Sequence, residues 1–504
     1  MSNIRSRPAM LPSIYAFIFL LLVVEAASRA STACDLLQTH FREEPSEVEI
    51  PEYVSSQSDI YLNRTIIPWS SNCWQNASCI VSPASSKDVA DVLSLITSTN
   101  TTFSIRSGGH DFNKNHSNVQ QGVVIDLVNL NGISLSADRS SVTIGTGRRW
   151  GEVYKTLSGS GVSINGARDS SPGVGGQTLA GGQGWFSSIA GVTAASVTAA
   201  EVVLANSSII HATEENAADL LWALRGGGPN YGIVTSFTFK TIPVEKVWYL
   251  YRSFSSDKNQ ELLNALVEYG RLASDDDKAS LAFGLSQDTS SPDSFIWLFY
   301  ADAVEFPDVF KPFYGIEPTT DGNSTIGTQA DLAVPSPQFP DPGTAPLRHY
   351  VVTLPHKWDN ATYHDGYAAY ASFAEQAIAS GWTMSYGSQL FSESAVKASS
   401  NTPLGLEMVN QDWIHCTLQW EKPEDDAAAM HLIASLGQRL AGISKVHGSQ
   451  LSYRFMNDAY DGQNALSSYG PNNFRKLLDV SKAYDPTRVF QRLQNGGWLL
   501  SKEM

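Results

Sequence analysis

Glycine is unusually dense in the segment Gly173-Val-Gly-Gly-Gln-Thr-Leu-Ala-Gly-Gly-Gln-Gly184. Six of its twelve residues are glycine, so its main-chain N–H groups can turn toward one point and approach an anionic group closely. A second glycine cluster, Arg106-Ser-Gly-Gly-His-Asp111, directly follows a predicted strand at Phe103–Arg106. Such clusters are typical either of two flexible loops or of a backbone cradle for a phosphate-bearing cofactor.

Other glycine-rich and catalytic motifs are excluded by inspection. A Rossmann G-x-G-x-x-G would need glycine at the position that Thr178 occupies. The sequence has no G-K-[ST] phosphate loop and no G-x-S-x-G serine elbow. C-x-x-C and H-E-x-x-H spacings are also absent, so no metal site is predicted. The remaining interpretation is a dinucleotide held by a different fold.

Further stretches accompany the two glycine clusters along the chain. They are Gly-Val-Val-Ile-Asp-Leu at 122–127, Leu-Arg-Gly-Gly-Gly-Pro-Asn-Tyr-Gly-Ile-Val-Thr at 224–235, Tyr469-Gly470, Asn473, Lys-Ala-Tyr-Asp-Pro at 482–486 and Val489-Phe490. Together and in this order, they resemble the FAD-linked oxidases of the berberine-bridge-enzyme-like family, which share the vanillyl-alcohol-oxidase fold. The resemblance covers nearly the whole mature chain and implies FAD as cofactor and molecular oxygen as electron acceptor.

The resemblance and the pattern of elements imply an α+β protein. Short strands and short helices alternate up to about residue 245, whereas longer helices and aromatic strands follow. We expect a signal peptide at 1–30, a two-subdomain PCMH-type FAD-binding domain at 31–245 and a substrate domain at 246–455. The substrate domain should be an antiparallel sheet covered by helices. A C-terminal segment, 456–504, should return to the FAD domain.

The family carries its flavin on the histidine after the paired glycines, which is His110 here. Imidazole suits this bond because it is nucleophilic near neutral pH. Some relatives add a cysteine tether in the glycine-rich loop, where this chain has Asp169, so the resemblance implies a single tether. The other residues that it places at the cofactor are Arg106, Ser107, Gly108, Gly109, Asp111, Pro172, Gly173, Gly175, Gly176, Gly181, Gly182, Gly232, Ile233 and Asn473.

Two departures from the family pattern concern reactivity. Pro172 stands where the family has Val, Ile or Leu at the residue that gates oxygen access, which leaves oxidase and dehydrogenase behaviour open. Sugar-oxidising relatives carry Asn-Tyr-Ala where this chain has Asn457-Asp458-Ala459. This variant and the single tether resemble the fungal secondary-metabolite branch more than the sugar oxidases.

The catalytic base is less well defined by the resemblance. Asp458 or Tyr460 is positioned to take a substrate proton as hydride leaves for the flavin, and the alternative is that both only brace the cofactor. Glu407 and His415, on a predicted strand region of the second domain, are weaker candidates.

The N-terminus predicts the compartment. Arg5 and Arg7 precede an apolar run from Ile14 to Val24, and small residues that follow allow cleavage after Ala27, Ala30 or Ala33, as in a signal peptide. The run is too short to span a bilayer as a helix, so we expect no membrane association after its removal. Seven N-x-[ST] sequons fit a secreted glycoprotein: Asn63, Asn76, Asn100, Asn115, Asn206, Asn323 and Asn360.

The four cysteines and the net charge give further predictions. We favour a Cys34–Cys79 disulfide, and Cys416 alternates with apolar residues as a buried thiol would. The 50 acidic and 34 basic residues give a net charge of −16, which makes nucleic acid a poor partner. We therefore predict a monomeric FAD-linked oxidoreductase that oxidises a small alcohol or metabolite intermediate. A carbohydrate oxidase and a non-catalytic FAD glycoprotein are the alternatives.

Overall fold

A computed structural model of the chain describes residues 11–43, 52–274, 276–287, 294–333 and 346–504. The predicted basic start of the signal peptide, with Arg5 and Arg7, lies outside these residues. Within them, no helix combines the length and the apolar character needed to cross a bilayer. Three open sheets and fifteen α-helices account for the described architecture, and the predicted α+β class is confirmed.

The first sheet has four strands in the order β1-β2-β4-β3, of which β2, β4 and β3 run parallel and β1 antiparallel. The second sheet has five antiparallel strands in the order β5-β6-β9-β7-β8. Their bounds are β1 Glu52–Ser55, β2 Cys79–Ser82, β3 Phe103–Arg106, β4 Val123–Asp126, β5 Ile133–Leu135, β6 Ser141–Gly145, β7 Val197–Val203, β8 Ile209–Ala212 and β9 Ile233–Lys240.

The third sheet is antiparallel and has nine strands, with the main path β13-β10-β12-β11-β16-β18-β15. Strand β14 pairs with β10, and β17 pairs with β18. The bounds are β10 Val247–Phe254, β11 Ala279–Ser286, β12 Ser294–Tyr300, β13 Thr320–Asp321, β14 Thr325–Gly327, β15 Arg348–Lys357, β16 Thr383–Ser388, β17 Leu390–Phe391 and β18 Gln411–Trp420.

The helices pack against these sheets. Their bounds are α1 Leu11–Glu43, α2 Tyr61–Thr65, α3 Ser86–Ser98, α4 Trp150–Leu157, α5 Val174–Leu179, α6 Ser187–Ala190, α7 Ala218–Leu224, α8 Asn259–Ala273, α9 Lys311–Tyr314, α10 Gln329–Leu332, α11 Asn360–Ala379, α12 Glu393–Ala398, α13 Asp426–Val446, α14 Pro471–Tyr484 and α15 Val489–Arg492. Helix α3 begins with the predicted capping box, in which Ser85 and Asp88 each accept a hydrogen bond from the other's backbone N–H.

The two faces of the third sheet have different partners. Helices α8, α11 and α13 cover one face, and Ile414, Cys416 and Leu418 of β18 are buried in the core beneath them. Because side chains alternate along a strand, the neighbouring His415 and Thr417 face the other way, toward a cavity. Cys416 is the buried free thiol that the alternating pattern predicts.

The N-terminal region is attached to the first sheet. Cys34 of α1 and Cys79 of β2 form the predicted disulfide, with their Cα atoms 5.9 Å apart. Closing a loop of this length stabilises the fold by about 4 kcal/mol in the chain-entropy model. Ala30 and Ala33 of α1 are fully buried, so the second half of this helix belongs to the folded domain.

Candidate active site

A cavity of about 410 Å³ lies between the glycine-rich loops of the first two sheets and the open face of the third sheet. One wall consists of the loops at 107–112, 172–177 and 228–234, together with 494–498 from the C-terminus. The opposite wall comes from β11, β12, β16 and β18, and residues 455–458 close it. Two distant parts of the sequence therefore face the same space.

The 107–112 and 172–177 loops meet through glycine. A Cβ on Gly108 would lie 2.4 Å from the backbone N of Gly173, and a Cβ on Gly173 would lie 2.3 Å from the N of Gly108. No side chain larger than hydrogen fits at either position. Ser107 completes the junction, because its Oγ donates to Thr146 O at 2.5 Å and accepts from Gly175 N at 3.2 Å.

His110 lines the cavity at the end of an aromatic stack. Its ring lies 5.2 Å from that of Trp69, and Trp69 stacks in turn on His349 at 3.9 Å. Burial lowers the pKa of His349 to about 3, so that imidazole is neutral and adds no charge beside His110. The stack fixes the plane of the His110 ring relative to the cavity.

His116 clamps the His110 loop to the C-terminal segment. Its Nδ1 lies 2.7 Å from Asp111 Oδ2 and its Nε2 lies 2.7 Å from Asp461 Oδ1. Nearby, Asn113 Nδ2 donates to Ala459 O at 3.0 Å. These contacts hold the loop that carries His110 against the segment that carries Asp458.

Asp458 lines the cavity within a polar cluster. Gln389 Nε2 donates to Asp458 Oδ2 and to His415 Nδ1, the latter at 3.0 Å. His415 Nδ1 lies 4.0 Å from Asp458 Oδ2. Burial lowers the pKa of His415, which keeps the ring neutral, and the Gln389 bond to Nδ1 leaves the ring proton on Nε2. The cluster places an ionisable carboxylate and a neutral imidazole side by side.

Most of the residues predicted at the cofactor line this cavity. They are Ser107, Gly108, Gly109, His110, Asp111, Pro172, Gly173, Gly175, Gly176, Gly232 and Ile233.

Three of the predicted cofactor residues lie behind the cavity wall, and one lies farther away. Arg106 is fully buried and pairs with Asp126, with Nη2 2.7 Å from Oδ2. Gly181 and Gly182 belong to the loop behind the wall, and Gly182 N donates to Asn457 Oδ1 at 3.0 Å. Asn473 Nδ2 donates to Pro403 O at 2.9 Å, away from the cavity.

Two of the four candidates for the catalytic base line the cavity, and two do not. Asp458 and His415 line the cavity, whereas Tyr460 and Glu407 do not. The Tyr460 ring packs on Tyr350 at 5.1 Å, and Glu407 is exposed beside Lys357. The backbone turns through a short 3₁₀ helix at Met456–Asp458, which points the Asp458 and Tyr460 side chains to different surroundings.

Comparison with known proteins identifies the family. Residues 77–213 match the model of an FAD binding domain. An FAD-dependent monooxygenase of the fungus Arthrobotrys oligospora is 34% identical over 465 residues, which cover 88% of this chain and 86% of that protein. The chain belongs to the berberine-bridge-enzyme-like FAD-dependent oxidoreductases. The resemblance predicted from the glycine motifs and its fungal branch are therefore confirmed.

Solved structures of this family share the fold of the present flavoenzyme. 6-Hydroxy-D-nicotine oxidase from Arthrobacter nicotinovorans superimposes with a TM-score of 0.73 at 19% identity and covers 88% of this chain and 96% of that one. Glucooligosaccharide oxidase from Acremonium strictum, whose FAD is described as 6-S-cysteinyl and 8α-N1-histidyl, has a TM-score of 0.70 at 18% identity. That match covers 87% of this chain and 95% of that one.

The His110 loop fits the anionic part of FAD. Among the residues that the structure describes, the backbone N–H groups of Gly108, Gly109 and Asp111 donate no hydrogen bond to the protein. Gly108 and Gly109 are also buried, and buried N–H groups are nearly always paired in folded proteins. A pyrophosphate would supply the missing acceptors, so the loop suits the cofactor of this family.

Several residues of the flavoenzyme's site were missed by sequence reasoning. They are Trp69, His116, Arg168, Trp185, Trp297, Gln389 and Trp498. Arg168 adjoins the glycine-rich stretch, and its position there is the one local signal that could have found it. Gln389 and Trp297 belong to no sequence motif. Their place at the cavity depends on strand pairing in the third sheet, so it could not be predicted from neighbouring residues.

The His116 clamp predicts a pH-dependent stability. Burial alone would lower the pKa of His116, but the adjacent Asp111 and Asp461 carboxylates raise it to about 10. A histidine whose folded pKa exceeds its unfolded value of about 6.5 stabilises the fold fully below that pH. We expect this contribution to be lost as pH rises from about 6.5 to about 10, so wild-type Tm should fall over that range.

Replacing His116 should remove this dependence. We expect His116→Gln to cost about 3 kcal/mol at pH 6 and to flatten the fall in Tm at alkaline pH. His447→Gln is the matched control, since His447 also lies 2.7 Å from a carboxylate, that of Asp365, but on an exposed face. It should cost less than about 1 kcal/mol. Parallel Tm curves for wild type and His116→Gln would contradict the clamp.

Proposed function

We propose that this flavoenzyme oxidises a small organic molecule with FAD bonded to His110 as its single tether. When bound, FAD would accept a hydride from the substrate and would pass the two electrons to oxygen, which gives hydrogen peroxide. The proposal is supported by the shared cavity, which both His110 and Asp458 line. Asp169, at the position of the second tether in some relatives, carries no thiol and supports a single bond.

The chain's own residues then handle the proton. The Asp458 carboxylate takes the proton from a substrate hydroxyl or amine as hydride leaves the adjoining carbon. Gln389 holds this carboxylate toward the cavity. Because the His415 imidazole is uncharged, it forms no ion pair with the Asp458 carboxylate. Gly108 and Gly173 let the two loops that would hold the cofactor lie in direct contact.

Anaerobic reduction tests this function. The purified yellow protein is mixed without air with panels of aromatic and aliphatic alcohols, amines and oligosaccharides, and loss of flavin colour is recorded. We expect an alcohol or an amine to bleach the flavin, and we expect hydrogen peroxide to form when air is admitted. Bleaching by no compound would favour a non-catalytic FAD glycoprotein, and label from ¹⁸O₂ in the product would mean that the enzyme is a monooxygenase.

The second candidate is a carbohydrate oxidase, and aromatic side chains on the cavity wall favour it. Phe283, Phe295 and Trp297 of the third sheet line the cavity with Trp185, and such faces stack on sugar rings as well as on flat aromatic substrates. Asp458, at the position where sugar-oxidising relatives carry tyrosine, supports the first candidate. Bleaching by oligosaccharides alone would reverse this order.

Pro172 lines the cavity at the position that the resemblance assigns to the oxygen gate. A proline ring is rigid and has no N–H group, so we expect it to narrow the oxygen path. Reoxidation of the reduced enzyme should be slow, and Pro172→Val should speed it about tenfold in stopped-flow mixing with oxygenated buffer. Pro423→Val, on the surface, should change nothing. Equal rates for Pro172→Val and wild type would remove the gating role.

We also propose that the protein is secreted and N-glycosylated. The side chains of six sequon asparagines are exposed: Asn63, Asn76, Asn100, Asn206, Asn323 and Asn360. Asn115 is half-buried and its Oδ1 accepts from Gln75 Nε2 at 2.7 Å, so this sequon should carry no glycan. The disulfide between Cys34 and Cys79 also suits an oxidising compartment.

The packing of α1 predicts the cleavage site. Ala30 and Ala33 are fully buried, and Arg29 O accepts from Thr101 Oγ1 at 3.1 Å. Cleavage after Ala27 retains the two buried alanines and the hydrogen bond to Arg29 O, whereas cleavage after Ala33 removes all of them. We therefore expect N-terminal sequencing of the secreted protein to begin at Ser28. A mature chain beginning at Cys34 would show that these contacts are dispensable.

A further inference from the structure

A cationic side chain reaches the cavity beside the glycine-rich loop. Arg168 lines the cavity, and it is the one Lys or Arg among the described lining residues. Its Nη1 donates to Leu281 O of β11 at 3.3 Å, and its own backbone O accepts from Trp185 Nε1 at 3.1 Å. The guanidinium thus sits where the first domain meets the third sheet.

The charge of Arg168 is not neutralised by a close carboxylate. Across the described ranges, Arg168 forms no ion pair with an Asp or Glu oxygen within 4.0 Å. The charges of Asp458 and Asp412 raise the pKa of Arg168, but both carboxylates are hydrogen-bonded to other groups. Asp458 accepts from Gln389, and the two oxygens of Asp412 accept from Ser388 Oγ and from Gln389 N.

The guanidinium of Arg168 is also partly removed from water. Burial lowers the pKa of Arg168 to about 10, so it stays charged at neutral pH. A partly desolvated charge without a partner is costly unless a ligand or water satisfies it. Apart from the bond to Leu281, the N–H donors of Arg168 have no hydrogen-bond acceptor in the described part of the chain.

We propose that Arg168 binds a carboxylate on the substrate, so that the enzyme acts on organic acids. The planar guanidinium fork matches the two oxygens of a carboxylate. A chain with a net charge of −16 otherwise repels anions, so capture of an acid needs a local cation. This inference rests on the proposed function, and it adds the substrate class.

The remaining wall fits the rest of such a molecule. Phe283, Trp185 and Trp297 line the same cavity and offer apolar surface to the carbon skeleton. Arg168 and Asp458 line this same cavity. A small acid held at Arg168 would therefore lie in the space that the Asp458 carboxylate also lines.

A pair of uncharged and charged probes tests the inference. The purified flavoprotein is titrated with benzoate and with benzamide, which share the ring but differ in charge, and the flavin absorption spectrum reports binding. Benzoate should bind about tenfold more tightly or better. In Arg168→Gln this preference should disappear while benzamide affinity stays unchanged. Arg252→Gln, which removes a cation paired with Asp321 away from the cavity, should retain the preference.

Different results would overturn the role of Arg168 and the proposed function. Equal affinities in wild type, no spectral response to benzoate, or a preference that persists in Arg168→Gln would each overturn the inference. If Arg168→Gln loses its flavin on purification, the wild-type comparison of benzoate with benzamide decides alone. Failure of the proposed function is recognised differently, by a protein that purifies without flavin or whose flavin no substrate bleaches.

Discussion

Asp458→Asn should slow flavin reduction by substrate by about 10²- to 10⁴-fold, because the amide cannot take the substrate's proton. Asn is nearly isosteric and can still bond to Gln389, so the fold and flavin content should be unchanged. Anaerobic stopped-flow reduction measures the step directly. Reoxidation by oxygen should be as fast as in wild type, since that half-reaction needs no base at this position.

Two control variants make this result specific. Tyr460→Phe removes the hydroxyl of the other sequence candidate, which lies outside the cavity, and Glu407→Gln removes an exposed carboxylate of the same domain. Both should keep reduction rates within about twofold of wild type. A large loss in Tyr460→Phe together with a normal rate in Asp458→Asn would transfer the base to Tyr460.

His110→Ala should abolish covalent flavin, a change from about one flavin per chain to none, because this chain has Asp169 where some relatives carry a second, cysteine tether. After acid precipitation the wild-type pellet should stay yellow, whereas the variant should release its flavin to the supernatant. His211→Ala, at an exposed histidine of the first domain, is the control and should keep its colour. Colour in the His110→Ala pellet would place the tether elsewhere.

The glycine-loop wall of the cavity could be predicted from sequence because its signals are local. Gly108 and Gly173 have to be glycine for the two loops to touch, and this requirement leaves a readable motif beside His110. The alternation of apolar residues along β18 likewise indicates that Cys416 is buried and that its neighbour His415 faces the other way. Such patterns are properties of neighbouring residues, and they can be read without knowledge of the tertiary arrangement.

The substrate side could not be predicted in this way. Asp458 and Tyr460 lie two residues apart and have similar chemistry, and only the 3₁₀ turn and the packing of Tyr460 on Tyr350 distinguish them. Gln389 joins Asp458 to His415 across 69 and 26 residues. His116 would be an ordinary loop histidine without Asp461, which is 345 residues away.

Peptide mapping of the denatured wild-type protein tests directly whether the flavin is bonded to His110 alone. After proteolysis, the flavin should be recovered on a single peptide that contains His110, and fragmentation should place it on that imidazole. Flavin found free in solution would contradict the covalent site. Flavin found on a peptide without His110, or on two residues at once, would contradict the proposed single tether.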